Sequence, residues 1–400
     1  MKIAVVSVHA SPLPVLMDQE EGGQDVHVAD LAAALTEQGH DVTVHTRRDS
    51  VRPPEVVRAK PGYEVVHGPA GPPGPLPSDE LPPHLDEFIR ALRDRWQADP
   101  PDVVHAHSWT SGLAAVLAAS GLGVPVVQTF HELGCLERKV RGRVIPAARV
   151  STERLIAREA SRVVATSSDE VLELVRMGVP RQHVAVVPPA VDVSRFTPDG
   201  PRLTRQLPHR LITFDDGAEE VVVALRGVRD TELVVVGGGP ERVRALRELA
   251  REHDVADRVR LVGPVPRVAR PALLRSADAV VCTTWGETAS APLEAMACGV
   301  PVVASAVAGL AETVVDGVTG VLVPPGEPNA LARVLRPLLV DDARRDAYGT
   351  AAADRVEARY RTDRIAAEIT RVYRDASGLE EAAEAAAQGP AEVRSGLQDA

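Results

Sequence analysis

Cysteine is scarce in this chain, occurring only at Cys135, Cys282 and Cys298 among 400 residues. An odd number of thiols without zinc-like spacing excludes a disulfide framework, so reduced, packed cysteines are expected. No segment approaches the roughly 20 apolar residues that a membrane-spanning helix needs. The opening run Lys2-Ile3-Ala4-Val5-Val6-Ser7-Val8 is too short for a signal sequence and lacks a cleavage site, so it reads as a first buried strand and a cytoplasmic protein is expected. Positive charge is in deficit: 45 Lys and Arg against 56 Asp and Glu leave a net charge of -11, which argues against nucleic acid or an anionic membrane surface as the main partner. Aromatics reach only 3%, while Ala, Val, Arg, Gly and Pro abound, a composition typical of high-GC bacteria.

What remains is an ordinary globular composition, 44% hydrophobic and 25% charged, on a chain long enough for two domains. Apolar β-rich runs alternate with helical patterns, as in parallel sheets covered on both faces. The strands expected in the first half are 2–8, 41–46, 63–67, 102–107, 124–130, 162–166 and 183–187. Those in the second half are 211–214, 232–236, 258–262, 279–282, 301–304 and 320–323. The helix expected at 24–38 carries Val28, Leu31, Ala32 and Leu35 on one stripe and stops at Gly39. Residues 68–83 form a proline-rich surface loop. The better boundary is the interrupted stretch 188–208, with Pro188, Pro189, Pro198 and Pro201. The fold class is therefore α/β, with two facing Rossmann-like doubly wound domains. Their expected extents are 1–190 and 209–360, with a linker at 191–208, a last helix over 361–376 and a disordered tail over 377–400.

Several segments place chemistry at strand ends. Thr283 to Ser305 reads as strand, helix start at Ser290 to Leu293, and next strand, with Glu294 in the first helical turns, Pro292 where no donor is lost and Gly299 as the stop. Unpaired N–H groups at such a start attract anions, and Glu294 suits neighbouring hydroxyls. Gly22 and Gly23 lie between the first strand and its helix, and Gly237-Gly238-Gly239-Pro240 repeats that pattern in the second half. His131 follows the apolar strand ending at Phe130, where open parallel sheets present ligand-binding residues. His105 and His107 alternate on one strand and share a face, yet no carboxylate or third ligand is spaced to join them, so no metal is expected. Arg138, Lys139, Arg141 and Arg143 follow His131 and suit either an anionic acceptor or solvent.

The segment around Glu294 closely resembles the signature of the family-4 glycosyltransferases, retaining enzymes of the glycosyltransferase-B fold, and the resemblance extends from Met1 to about Tyr373. It implies a nucleotide-diphosphate sugar donor of UDP or GDP type, which is a co-substrate, so no cofactor is expected. It also implies a small-molecule acceptor, with a homodimer left open. Glu294 would hold the donor ribose, Gly22, Gly23 and the helix start at Ser290 and Ala291 the donor phosphates, and His131 the transferred sugar, with Gly238 in the glycine-rich turn near the nucleotide. The family's final helix crosses back onto the first domain.

Two positions depart from the pattern. The first glutamate of the family's pair falls at Gly286, with Glu287 one residue later as the candidate catalytic carboxylate. Where the family carries a diphosphate-binding lysine the chain has Asp216, after Asp215, and Arg210 stands about one residue out of register with the family's arginine. Arg210, Arg267 or Arg270 could compensate. The leading expectation is retaining sugar transfer, to an acceptor from specialised metabolism or to a primary sugar. The rival, of another class, is a non-catalytic binding or partner subunit that kept the fold.

Overall fold

The computed structural model describes residues 1–13, 23–51, 54–74, 76–141, 144–283 and 290–378. In the first sheet the strands are β1 (Lys2–Val6), β2 (Asp41–Arg47), β3 (Val56–Arg58), β4 (Glu64–Gly68), β5 (Val103–His107), β6 (Val126–Thr129), β7 (Arg162–Ala165) and β8 (Val184–Val186), in the order β3-β4-β2-β1-β5-β6-β7-β8. The second sheet holds β9 (His209–Phe214), β10 (Thr231–Val236), β11 (Val259–Gly263), β12 (Ala279–Cys282), β13 (Val302–Ser305) and β14 (Gly320–Val323), in the order β11-β10-β9-β12-β13-β14. Among the described residues these strands pair in parallel except β3 with β4. β3 is a three-residue edge strand that the sequence reading leaves as loop, because Val56-Val57-Arg58 is too short and too exposed to show a period.

The period of two explains why these runs are continuously apolar. Along β1, Ile3 and Val5 join Val28, Leu31 and Leu35 of the helix Gly23–Glu37 on one face. Ala4 and Val6 join Phe88, Leu92 and Trp96 of the helix Leu85–Ala98 on the other. The helix Thr362–Ala376 returns to the first sheet and adds Ile365, Ile369, Val372 and Tyr373 to its core. Arg162 clasps Asp375 of that helix through two nitrogens at 2.6 and 3.0 Å.

Each sheet has one topological switch point. In the first it lies between β1 and β5, and in the second between β9 and β12, where connections run off in opposite directions and leave a crevice at the carboxyl ends. The two crevices face one another. Asp30, on the helix after β1, holds Arg267, beyond β11, through two hydrogen bonds of 2.7 and 2.5 Å. Glu312, beyond β13, accepts from the backbone N–H of Ser168, beyond β7, at 2.7 Å.

The helix Asp342–Arg359 packs so tightly on the turn ending the helix Ser290–Ala297 that a Cβ on Gly349 would stand 2.1 Å from the Gly299 carbonyl oxygen. A backbone atom cannot swing aside, so Gly349→Ala must separate the two helices. A loss of about 1–3 kcal/mol is expected, read as a lower urea midpoint.

Candidate active site

On the first-domain side, Gln24 opens the helix after β1 and donates to Ser7 Oγ at 3.3 Å and to the His107 carbonyl at 3.4 Å, tying that helix to both strands of the switch point. His27 lies one turn further on the same side. Its ring centroid stands 5.4 Å from that of His107, the last residue of β5, and 5.0 Å from that of His131, two residues beyond β6. His107 Nδ1 and His131 Nε2 share a hydrogen bond of 2.9 Å. Two residues here adopt left-handed backbone conformations, Ser108 at φ 76° and His131 at φ 63°. Such strain, about 1–3 kcal/mol per residue, persists where surrounding structure imposes it. Here Gln128, fully buried in β6, donates to the Ser108 carbonyl at 3.0 Å and to the Thr129 carbonyl at 2.8 Å.

Burial keeps these imidazoles neutral. It lowers His105 to about 3 and His27 to about 4, and holds His107 and His131 well below the usual histidine value, with the neighbouring imidazoles adding to the effect. His105 is fully satisfied, by the Tyr373 hydroxyl at 2.7 Å and the Thr129 hydroxyl at 2.8 Å. The returning C-terminal helix therefore braces the histidines from beneath through Tyr373.

On the second-domain side, Glu294 sits in the helix Ser290–Ala297 at 1% exposure, and both of its oxygens accept from Arg270 Nη1, at 3.0 and 3.1 Å. Ser290 is partly exposed at the start of that helix and Ala291 is buried. Thr283, just beyond β12, donates to the Gly217 carbonyl at 2.9 Å and so bridges this switch point. Gly237 and Gly238 take positive φ of 91° and 84° after β10. A Cβ on Gly237 would meet the Asp215 carboxylate at 3.0 Å, and one on Gly238 would meet the Arg242 side chain at 3.2 Å. An acidic group and a cation thus share the glycine turn. Arg242 donates to the Asp215 carbonyl and to Glu219, both at 2.6 Å. Burial raises the Asp215 pKa, opposed by Arg242 and reinforced by Asp216.

Residues 22–190 match the model of the Glycosyl transferase 4-like domain, and residues 213–355 that of Glycosyl transferases group 1. The D-inositol 3-phosphate glycosyltransferase of Xylanimonas cellulosilytica is 38% identical, over 94% of this chain and 97% of that protein. The chain belongs to the family-4 glycosyltransferases. The enzyme of the same name from Salinispora tropica is 37% identical over 94% of the chain and 85% of its own length. Among solved structures, the sucrose-phosphate synthase of Thermosynechococcus elongatus superposes with a TM-score of 0.85 at 27% identity, covering 96% of this chain and all of that one. Anabaena Alr3699/HepE, solved in complex with UDP-glucose, gives a TM-score of 0.70 at 18% identity over 93% of this chain and 98% of that one, a likeness of fold alone.

For this glycosyltransferase-B chain, the candidate site residues fall into distinct groups. His131 and Glu294 lie at the two facing crevices. Gly23 opens the helix beside the first, and Gly238, Ser290 and Ala291 lie at the second. Gly22 and Glu287 fall outside the described residues. Arg138 is exposed on the helix Gly134–Arg141, beyond His131.

Three expectations need correction. Arg210 does not reach a phosphate pocket: it sits at the amino end of β9, 5% exposed, bound to Glu232 at 2.7 Å, Ser276 at 2.6 Å and the Thr204 carbonyl at 2.5 Å. That is the edge of the sheet opposite the crevice. Arg267 joins the two domains through Asp30, and Arg270 pairs with Glu294, so each guanidinium has a carboxylate partner in this structure. Finally, His107 does have histidine neighbours, but they are His27 and His131, from two other elements. Arg242, His27 and Tyr373 lie at or against the two crevices, and the sequence reading passes over them as candidates. No local signal marks His27, because its histidine neighbours come from other elements.

Proposed function

We propose that this chain is a retaining glycosyltransferase that moves a sugar from a nucleotide-diphosphate sugar to a hydroxyl of a small polyol acceptor, of the inositol-phosphate class. The observation that carries the reading is kinship over nearly the full length with relatives named for that acceptor, in a chain that keeps Glu294 at the second switch point. Glu294 accepts hydrogen bonds from the donor ribose. The start of the helix Ser290–Ala297 and Arg242 face the diphosphate, and His131 lies against the transferred sugar. The acceptor oxygen forms its bond to the anomeric carbon on the face that the diphosphate leaves. Its proton passes to the departing phosphate oxygen, so configuration is kept. Domain closure, held by Asp30 and Arg267, excludes water. Buried free thiols at Cys282 and Cys298 suit a cytoplasmic setting, where nucleotide sugars are made.

The test is incubation of the full chain with UDP- and GDP-sugars and an inositol phosphate, with the product's anomeric configuration read by NMR. A product retaining the donor's configuration supports the reading, and an inverted product contradicts it. The second reading, a non-catalytic subunit, draws support from Asp215 against the Gly237 turn and from Asp216 in the lysine's place. It expects nucleotide-sugar binding or none, but no transfer to any acceptor in that assay.

A further inference from the structure

Away from both switch points, the first domain holds a cavity of about 250 Å³. It lies between the carboxyl halves of β2 and β4 and the helix Leu85–Ala98, on the side of β1 opposite β5. Four of its side chains are basic and come from three parts of the fold: His45 on β2, Arg48 just beyond it, His67 on β4 and Arg95 on the helix. Glu55, which is exposed, is the one acid lining it among the described residues. This concentration runs against the chain's net charge of -11. A basic cleft at a surface is ordinarily just hydrated, but His45 sets this one apart. Its side chain is 3% exposed, yet neither ring nitrogen has a hydrogen-bond partner among the described residues. A buried polar group left in that state calls for a partner. The ring is held edge-on to Trp96, with centroids 6.0 Å apart, and lines the cavity. His67 is also buried and is fixed by its Nδ1, 3.0 Å from the Pro54 carbonyl. Arg95 forms no ion pair among the described residues, and its charge reaches His45.

We propose that this cavity binds the phosphate group of a small molecule, with Arg48, Arg95 and His45 supplying the donors and His67 forming its β4 wall. Each guanidinium carries five N–H groups in a fork that matches phosphate oxygens. Two such forks and an imidazole arriving from separate elements suit a tetrahedral group with several acceptor oxygens better than a planar carboxylate with two. A neutral imidazole still offers one N–H, so His45 bonds the anion without first gaining a charge. At about 250 Å³ the cavity lies below the roughly 300–1,000 Å³ of pockets for drug-sized ligands, which limits the occupant to free phosphate or a compact phosphate monoester. Phe88 gives an ester's carbon skeleton an apolar wall. Arg47, next in sequence to Arg48, donates to the carbonyls of Ala70, Pro72 and Gly74, so an occupant also bears on the proline-rich loop over 68–83. None of these residues belongs to the candidate active site, and the proposal holds whether or not the chain transfers sugar.

The full chain is titrated by calorimetry with glycerol phosphate and, separately, with inorganic phosphate. A saturable component is expected for at least one of them. Tighter binding of glycerol phosphate identifies an ester as the occupant, and equal or tighter binding of inorganic phosphate identifies the free anion. Arg95→Gln and His45→Phe should each weaken that component at least about tenfold, because hydrogen bonds to a charged group are the strong ones. Arg90→Gln removes the same charge from an exposed position on the same helix, outside the cavity lining, and should change binding by less than about twofold. Arg95 is itself exposed, so Arg95→Gln decides the matter even where His45→Phe fails to fold. No saturable binding of either phosphate, binding that Arg95→Gln leaves unchanged, or an equal loss in Arg90→Gln would each overturn the proposal.

Discussion

Lowering the pH from 7 to 5 is expected to remove about 3 kcal/mol of stability from this fold, a large share of what a typical domain has. The cause is buried neutral histidine. His45 and His105 are 3% and 0% exposed, and burial lowers both to about 3. In the unfolded chain each takes up a proton near pH 6.5. Folded pKa values below the unfolded one mean that the unfolded state binds more protons between the two. Stability is therefore full above about 6.5 and falls by about 1.4 kcal/mol per pH unit per group until the folded value is passed. For these two groups alone that is about 2 kcal/mol each at pH 5. His27, His107 and His131 act in the same direction. Glu170 opposes them. Burial raises it to about 7, so the folded state binds the extra proton and gains stability on acidification, about 2 to 3 kcal/mol over the same window. Urea unfolding from pH 7.5 to 5 reads the sum. His105→Gln should flatten the slope by about one histidine's share, and an unchanged slope in that variant would show that His105 does not titrate as its burial requires.

The second large effect is at Glu294. Its carboxylate and Arg270 are 1% and 14% exposed, and their mutual hydrogen bonds hold both in a poorly solvated place. Glu294→Ala leaves Arg270 without that partner, and breaking a buried pair from one side costs about 3–5 kcal/mol. Donor affinity should fall as well, by roughly 10- to 100-fold, because hydrogen bonds between a charged carboxylate and the ribose are worth about 1.5–3 kcal/mol. The double variant Glu294→Ala/Arg270→Met separates the two effects. It should recover much of the stability, since the stranded charge is gone, and none of the donor affinity. Donor binding restored along with stability would remove Glu294 from the ribose site.

Much of the fold was legible because parallel sheets covered on both faces demand unbroken apolar strands. The runs at Ala279–Cys282 and Gly320–Val323 are too short and too apolar to be anything else between helical patterns. The last helix, expected over 361–376, runs Thr362–Ala376 for the complementary reason, a clear helical period. β3 escaped because its pairing with β4 is set by an edge and not by burial. The place of His131 at the first crevice was legible, because a residue just past β6 stands at the carboxyl end of a parallel strand. Arg210 was misjudged on that same criterion: it enters near the beginning of β9, and a side chain at the amino end of a parallel strand points away from the crevice. His27, Arg242 and the Arg267–Asp30 pair were not legible. Each gains its meaning only when elements 27 to 237 residues apart meet, and no local spacing encodes that.

The direct measurement is nucleotide-sugar binding to the intact chain, with calorimetry and thermal unfolding run in parallel on UDP- and GDP-sugars. Saturable binding of one donor per chain is expected, with stabilisation approaching about 2.7 kcal/mol at a hundredfold excess over Kd. It should be lost in the Glu294→Ala/Arg270→Met variant. A folded chain that neither binds nor is stabilised by any nucleotide sugar would contradict the reading of this cleft as a donor site.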